Sequence, residues 1–151
     1  MGSHVIKKER EYAGSYGVFI DSGSTFSYFP TSNFGYLTRS LENACSRYSS
    51  SNRCLISKNS NVCFKIEKGN NTLEQMIVEI FPSIDIVISG RVVSWSPTKY
   101  FILQGVKSTE VCLGIYSLDR YILGANWMTD RYIVFNNLKQ TVEIFSNASC
   151  T

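Results

Sequence analysis

The patterned part of the chain opens with Gly17-Val18-Phe19-Ile20, an apolar run that ends on Asp21-Ser22-Gly23-Ser24-Thr25 and resumes as Phe26-Ser27-Tyr28-Phe29-Pro30. An apolar run stopped by turn residues predicts a short buried strand over 18–21, and the apolar flanks would hold the polar turn in the interior. Pro30-Thr31-Ser32 gives a helix-start signal before Phe34, Leu37, Leu41 and Ala44, which share one helical face, so one amphipathic helix is expected there. Residues 46–60, rich in Ser, Asn and Lys and without a period, read as a surface loop tethered by cysteines. From residue 62 the pattern turns to strands, predicted over 62–67, 75–81, 85–89, 92–95, 100–104 and 111–116, with Gly, Pro, Asn and Ser clusters between them. Residues 125–130 have room for a turn or two of helix, and 131–136 with 140–145 read as a closing hairpin across Asn137-Leu138-Lys139. A mostly β, largely antiparallel domain follows, with no internal repeat, linker or low-complexity tract.

Composition narrows the class. A chain of 151 residues is one domain, and at that size about 68–70% of the unfolded surface is buried, enough for a core of its own. Hydrophobic residues make up 44% and charged residues 18%, and the formal charge of +3 comes from scattered Lys and Arg, so no nucleic-acid partner is expected. No run approaches the roughly 18 apolar residues of a membrane span, and no membrane contact is expected from this segment. Met1-Gly2-Ser3-His4 reads as an artificial leader, residues 1–16 as leader and lead-in, and 17–151 as the domain proper.

The five cysteines, Cys45, Cys54, Cys63, Cys112 and Cys150, include no Cys-x-x-Cys pair, which favours disulfides over zinc or redox chemistry. The single histidine, His4, lies in the leader, so a nucleophilic cysteine would lack its usual base and a metal its commonest nitrogen donor. No cofactor and no metal are expected. Asn70-Asn71-Thr72 and Asn147-Ala148-Ser149 are N-glycosylation acceptor patterns, in keeping with the secretory pathway.

Candidate chemistry centres on Asp21. A strand that delivers an aspartate into a turn of Ser, Gly, Ser and Thr surrounds its carboxylate with N–H and hydroxyl donors, which favour the ionised form. Taken alone, Asp-Ser-Gly would only reverse the chain. Here it is joined by Phe81-Pro-Ser-Ile-Asp-Ile-Val-Ile-Ser-Gly90, by Ser96-Pro-Thr-Lys-Tyr-Phe-Ile-Leu-Gln104, by Tyr121-Ile-Leu-Gly124, and by Arg131-Tyr-Ile-Val-Phe135 with Thr141-Val-Glu-Ile-Phe145. On these stretches, residues 17–150 resemble the C-terminal lobe of the pepsin-like aspartic proteases. The cysteine pattern and Trp95-Ser-Pro-Thr-Lys-Tyr-Phe101 look most like the plasmepsin V and beta-secretase-like members.

The resemblance implies a single lobe of a bilobal fold and an aspartic endopeptidase activity. Asp21 would be the catalytic aspartate. Ser22 would donate to the hydrogen-bond grip between lobes, and Gly23 would allow the tight backbone. Ser24 and Thr25 would meet substrate or the aspartate network, while Phe19 and Ile122 would line a substrate pocket or else pack in the core. Cys63 would bridge to Cys112 and Cys45 to Cys54, leaving Cys150 for a partner upstream of the turn. The chain has one such turn: Asp85 falls inside a strand pattern, and Asp119 and Asp130 stand beside Arg120 and Arg131 as solvated ion pairs. Water activation needs two carboxylates sharing a proton. The implied partners are therefore the N-terminal lobe of the same parent chain and an extended peptide or protein substrate, and the isolated chain is expected to be inactive. Departures from the family pattern fall at Ala125 and Asn136, away from the turn. The alternative from another class is an inactive pepsin-like module that binds peptides or proteins. Self-pairing of two copies, as in retroviral proteases, ranks last for want of a flap-like segment.

Overall fold

The computed structural model describes residues 17–57, 61–105 and 108–146. In chain order the elements are β1 (Val18–Ile20), β2 (Ser27–Pro30), α1 (Thr31–Ser46), β3 (Cys54–Ser57), β4 (Cys63–Ile66), α2 (Leu73–Ile80), β5 (Ile84–Ile88) and β6 (Arg91–Trp95). There follow α3 (Pro97–Tyr100), β7 (Phe101–Leu103), β8 (Glu110–Leu113), β9 (Ile115–Leu118), β10 (Tyr121–Leu123), α4 (Ala125–Met128), β11 (Arg131–Asn136) and β12 (Thr141–Ser146). Strands dominate, as the apolar runs between turn clusters predict.

The sheet that matters for function runs β1-β10-β2-β9. β1 and β2 are consecutive in sequence yet not neighbours, because β10 enters between them, parallel to β1 and antiparallel to β2. The 21–26 turn must therefore pass across the end of β10. A second sheet, β3-β4-β8-β7, is antiparallel throughout, and two ribbons, β5-β6 and β11-β12, complete the strands among the described residues. Both bridges implied by the resemblance are present. Cys63–Cys112 joins residues directly opposite each other in β4 and β8, and Cys45–Cys54 ties the end of α1 to β3. Cys150 lies outside the described residues.

Aromatic side chains fill the core. Phe64, Phe81 and Phe101 meet with ring centroids 4.7–5.7 Å apart, and Trp95 stands edge-on to Tyr100 at 6.0 Å. Trp95 and Trp127 are fully buried. The Tyr100 hydroxyl donates to the Pro82 carbonyl at 2.6 Å, which satisfies the one polar atom this ring carries inside. Burial pushes its phenol well up.

Four sequence expectations change. Residues 75–81 are not a strand: Leu73, Met76, Ile77 and Ile80 recur at helical spacing, and α2 presents Met76, Ile77 and Ile80 to the core. Its start is a capping box, with the Thr72 hydroxyl accepting from the Gln75 N–H at 3.1 Å and the Gln75 side chain accepting from the Thr72 N–H at 2.8 Å. The 46–60 loop contains β3, recruited as an edge strand by β4 and pinned by Cys54. The single strand over 111–116 is two, because β8 pairs with β4 and β7 while β9 joins β2 in the other sheet, the chain changing sheets at Gly114. Finally, α1 begins at Thr31 with Pro30 as its N-cap and no side-chain capping bond, although Leu37, Leu41 and Ala44 are buried as its periodicity predicts.

Candidate active site

The parallel register pairs Val18 with Tyr121, Phe19 with Ile122 and Ile20 with Leu123, so Asp21 leaves β1 where Gly124 leaves β10. Backbone bonds lock the two together. Asp21 N–H donates to the Leu123 carbonyl at 3.0 Å; Ala125 N–H donates to the Ser24 carbonyl at 2.7 Å, so Ala125 touches the turn from which it was expected to stand apart, and Asn126 N–H donates to the Thr25 carbonyl at 3.2 Å. Gly124 lies so close beneath the turn that a Cβ there would stand 2.1 Å from the Phe26 carbonyl oxygen and 2.7 Å from that of Ser24. Only glycine fits this crossing.

Within the turn, Gly23 N–H donates to Asp21 Oδ1 at 2.9 Å and the Ser24 hydroxyl donates to Oδ2 at 2.7 Å. Each carboxylate oxygen thus has a donor. The Ser24 hydroxyl first, and the Gly23 N–H second, hold Asp21 below its ordinary carboxylate value, against a small opposing desolvation. A Cβ at Gly23 would press to 3.2 Å from Oδ1, so glycine keeps room for this bond.

The turn is not interior, as its apolar flanks suggested. Asp21, Ser22, Gly23 and Thr25 are exposed, and so are Val18 and Phe19; among the described residues β1 is an edge strand with β10 as its one neighbour in the sheet. Phe19, Ile20, Asp21, Arg120 and Ile122 line a shallow concavity of ≈ 320 Å³. Both pocket candidates therefore share a surface with the aspartate. The side chains of Ser22 and Thr25 make no hydrogen bond among the described residues, and Thr25 helps to fasten the turn through its carbonyl.

Sequence reasoning missed the support beneath the turn. Ser27 is fully buried, its hydroxyl accepting from the Gly124 N–H at 3.0 Å and donating to Asn126 Oδ1 at 2.9 Å, while Asn126 Nδ2 donates to the Gly114 carbonyl at 2.7 Å. This relay connects β2, β10, α4 and the β8–β9 crossing. A signal existed: Ser27 shares the inward face of β2 with Phe29, and a hydroxyl on a buried face demands a partner. Arg120 binds Asp119 through two bonds of 2.8 and 3.0 Å and lowers its carboxyl, the expected ion pair, although its place in the concavity beside Asp21 was not foreseen. Asp130 differs from expectation. Its ion-pair partner is Lys99, while Arg131 donates to the carbonyls of Trp127 and Ser94 and lies 4.7 Å over the Trp127 ring. Asp85 sits exposed in β5.

This architecture is that of one lobe of a pepsin-like aspartic proteinase. The crystal structure of aspartic proteinase from Irpex lacteus matches with a TM-score of 0.59 and 11% identity, over 86% of this chain and 37% of that one. Conglutin gamma, a basic 7S globulin from lupine seeds, matches with a TM-score of 0.59 and 18% identity, over 82% of this chain and 30% of its own. The chain spans about a third of the length of these two structures. The family model described as Xylanase inhibitor C-terminal matches residues 3–146, and the chain belongs to that family. No curated protein matches it.

Proposed function

We propose that this chain is the C-terminal lobe of an aspartic endopeptidase and supplies the second of its two catalytic aspartates, Asp21. The observation that carries this reading is the cradle of Gly23 N–H and Ser24 hydroxyl around the Asp21 carboxylate at the open end of the β1–β10 pair. A carboxylate with both oxygens occupied by donors, yet open to solvent, is prepared to face a second carboxylate and a water molecule. Two such groups close together cannot both ionise, so one holds the proton and polarises the peptide carbonyl while the other takes a proton from water. The tetrahedral carbon then forms without a covalent enzyme intermediate.

In this reading Ser22 reaches across to the N-terminal lobe, Thr25 faces the cleft, and Phe19 and Ile122 contact an extended peptide on the primed side of the scissile bond. The Trp95–Phe101 stretch and the cysteine spacing favour the plasmepsin V and beta-secretase-like members. The two disulfides favour maturation in the secretory pathway. No helix of the described residues is long and apolar enough to cross a membrane.

A second reading has its own support. The matching family is described as an inhibitor domain, so the parent protein could bind peptides or proteins without cutting them. The upstream lobe decides, since a lobe without its own aspartate leaves a binding module. Production of this chain together with that lobe, assayed at acid pH against unfolded protein substrates, tests the choice. Hydrolysis that Asp21→Asn abolishes supports the endopeptidase; substrate binding without hydrolysis supports the binding module.

A further inference from the structure

Six consecutive residues between β4 and α2, from Glu67 to Thr72, are exposed. Among them stands the acceptor triplet Asn70-Asn71-Thr72, in a turn closed by the Asn71 N–H donating to the Lys68 carbonyl at 2.9 Å. The Asn70 amide makes no hydrogen bond among the described residues, and a bulky group on it would project into solvent. None of the six lines the concavity around Asp21. Thr72 has two possible uses. In the folded chain its hydroxyl accepts from the Gln75 N–H and caps α2, whereas N-glycosylation requires the hydroxyl of the same triplet to be available at the enzyme that modifies Asn70.

We propose that Asn70 is an N-glycan attachment site that is modified before α2 closes its cap. The step needs an oligosaccharide linked to a lipid pyrophosphate as donor. The Asn70 Nδ2–C1 bond forms, the C1–O bond to the pyrophosphate breaks, the lipid pyrophosphate leaves, and one amide proton passes to a base. The inference rests on maturation in the compartment where the two disulfides form, and it does not depend on the catalytic role of Asp21.

The test secretes the full chain from eukaryotic cells, with Asn147→Gln to silence the second acceptor pattern, behind a signal peptide and a carrier domain bearing one occupied glycan. Two glycans removable by endoglycosidase are expected, falling to one with Asn70→Gln and with Thr72→Val and remaining two with Thr72→Ser. Secreted product carrying only the carrier's glycan would overturn the site. The order of events is read separately, by offering purified aglycosyl chain and a lipid-linked donor to oligosaccharyltransferase. The reduced, unfolded chain should be glycosylated and the folded chain not; equal modification of both would overturn the competition at Thr72.

Discussion

At the scale of single residues, the account turns on who donates to Asp21. The Ser24 hydroxyl contributes most to lowering its pKa, so Ser24→Ala should move the carboxyl back up toward its ordinary 3.8, which a carbon-detected NMR titration of Asp21 reads directly. The sign of the stability effect follows. A depressed folded value gives stability that is fully present above the ordinary value and is lost as pH falls through the lowered one. The gap in denaturant midpoint between the native chain and Ser24→Ala should therefore be constant at neutral pH and shrink only in that acidic window. Beneath the turn the expected effects are larger. Ser27→Ala leaves the buried Gly124 N–H and Asn126 Oδ1 without their partner, a loss of about 1–3 kcal/mol in urea unfolding. Gly124→Ala meets backbone that cannot yield, and upwards of about 3 kcal/mol should be lost.

At the scale of elements, the two disulfides make unequal contributions. Cys63–Cys112 closes a separation of 49 residues and Cys45–Cys54 one of 9. Loop-closure entropy then assigns roughly 4 kcal/mol to the first and roughly 3 kcal/mol to the second. Paired Cys→Ala variants, compared by denaturant midpoint, should rank in that order. The same scale shows what the sequence could and could not reveal. Strands bounded by turn clusters, such as β4, β5, β6 and the β11–β12 hairpin, were legible from their apolar runs and the Gly, Pro, Asn and Ser residues between them. α2 was misread because Ile77, Val78, Ile80 and Phe81 favour strands by type, although Thr72-x-x-Gln75 already spelled its cap. The break between β8 and β9 was hidden, since an apolar run does not record that its two halves pair in different sheets. The hydrogen bonds among Asp21, Gly23 and Ser24 were readable because they span two or three residues, whereas the crossing at Gly124 is long-range. The Ser27–Asn126 relay was not, since its partners lie 99 residues apart and each looks ordinary alone.

At the scale of the whole molecule, the Asp21 turn lies on an exposed face of a folded lobe. Its aspartate, Val18 and Phe19 are exposed at the edge where β1, among the described residues, has β10 as its one sheet neighbour. One carboxylate cannot both take a proton from water and polarise a carbonyl, so on the proposed endopeptidase reading this surface becomes active only when a second lobe covers it. The most direct test is peptide hydrolysis at acid pH by three samples: this chain alone, the chain joined to the N-terminal lobe of its parent protein, and the joined form with Asp21→Asn. The account predicts no hydrolysis from the first, hydrolysis from the second, and a fall on the order of 10⁴-fold or more in the third. Hydrolysis by the chain alone, or a joined form that cuts equally well without the Asp21 carboxylate, would contradict it.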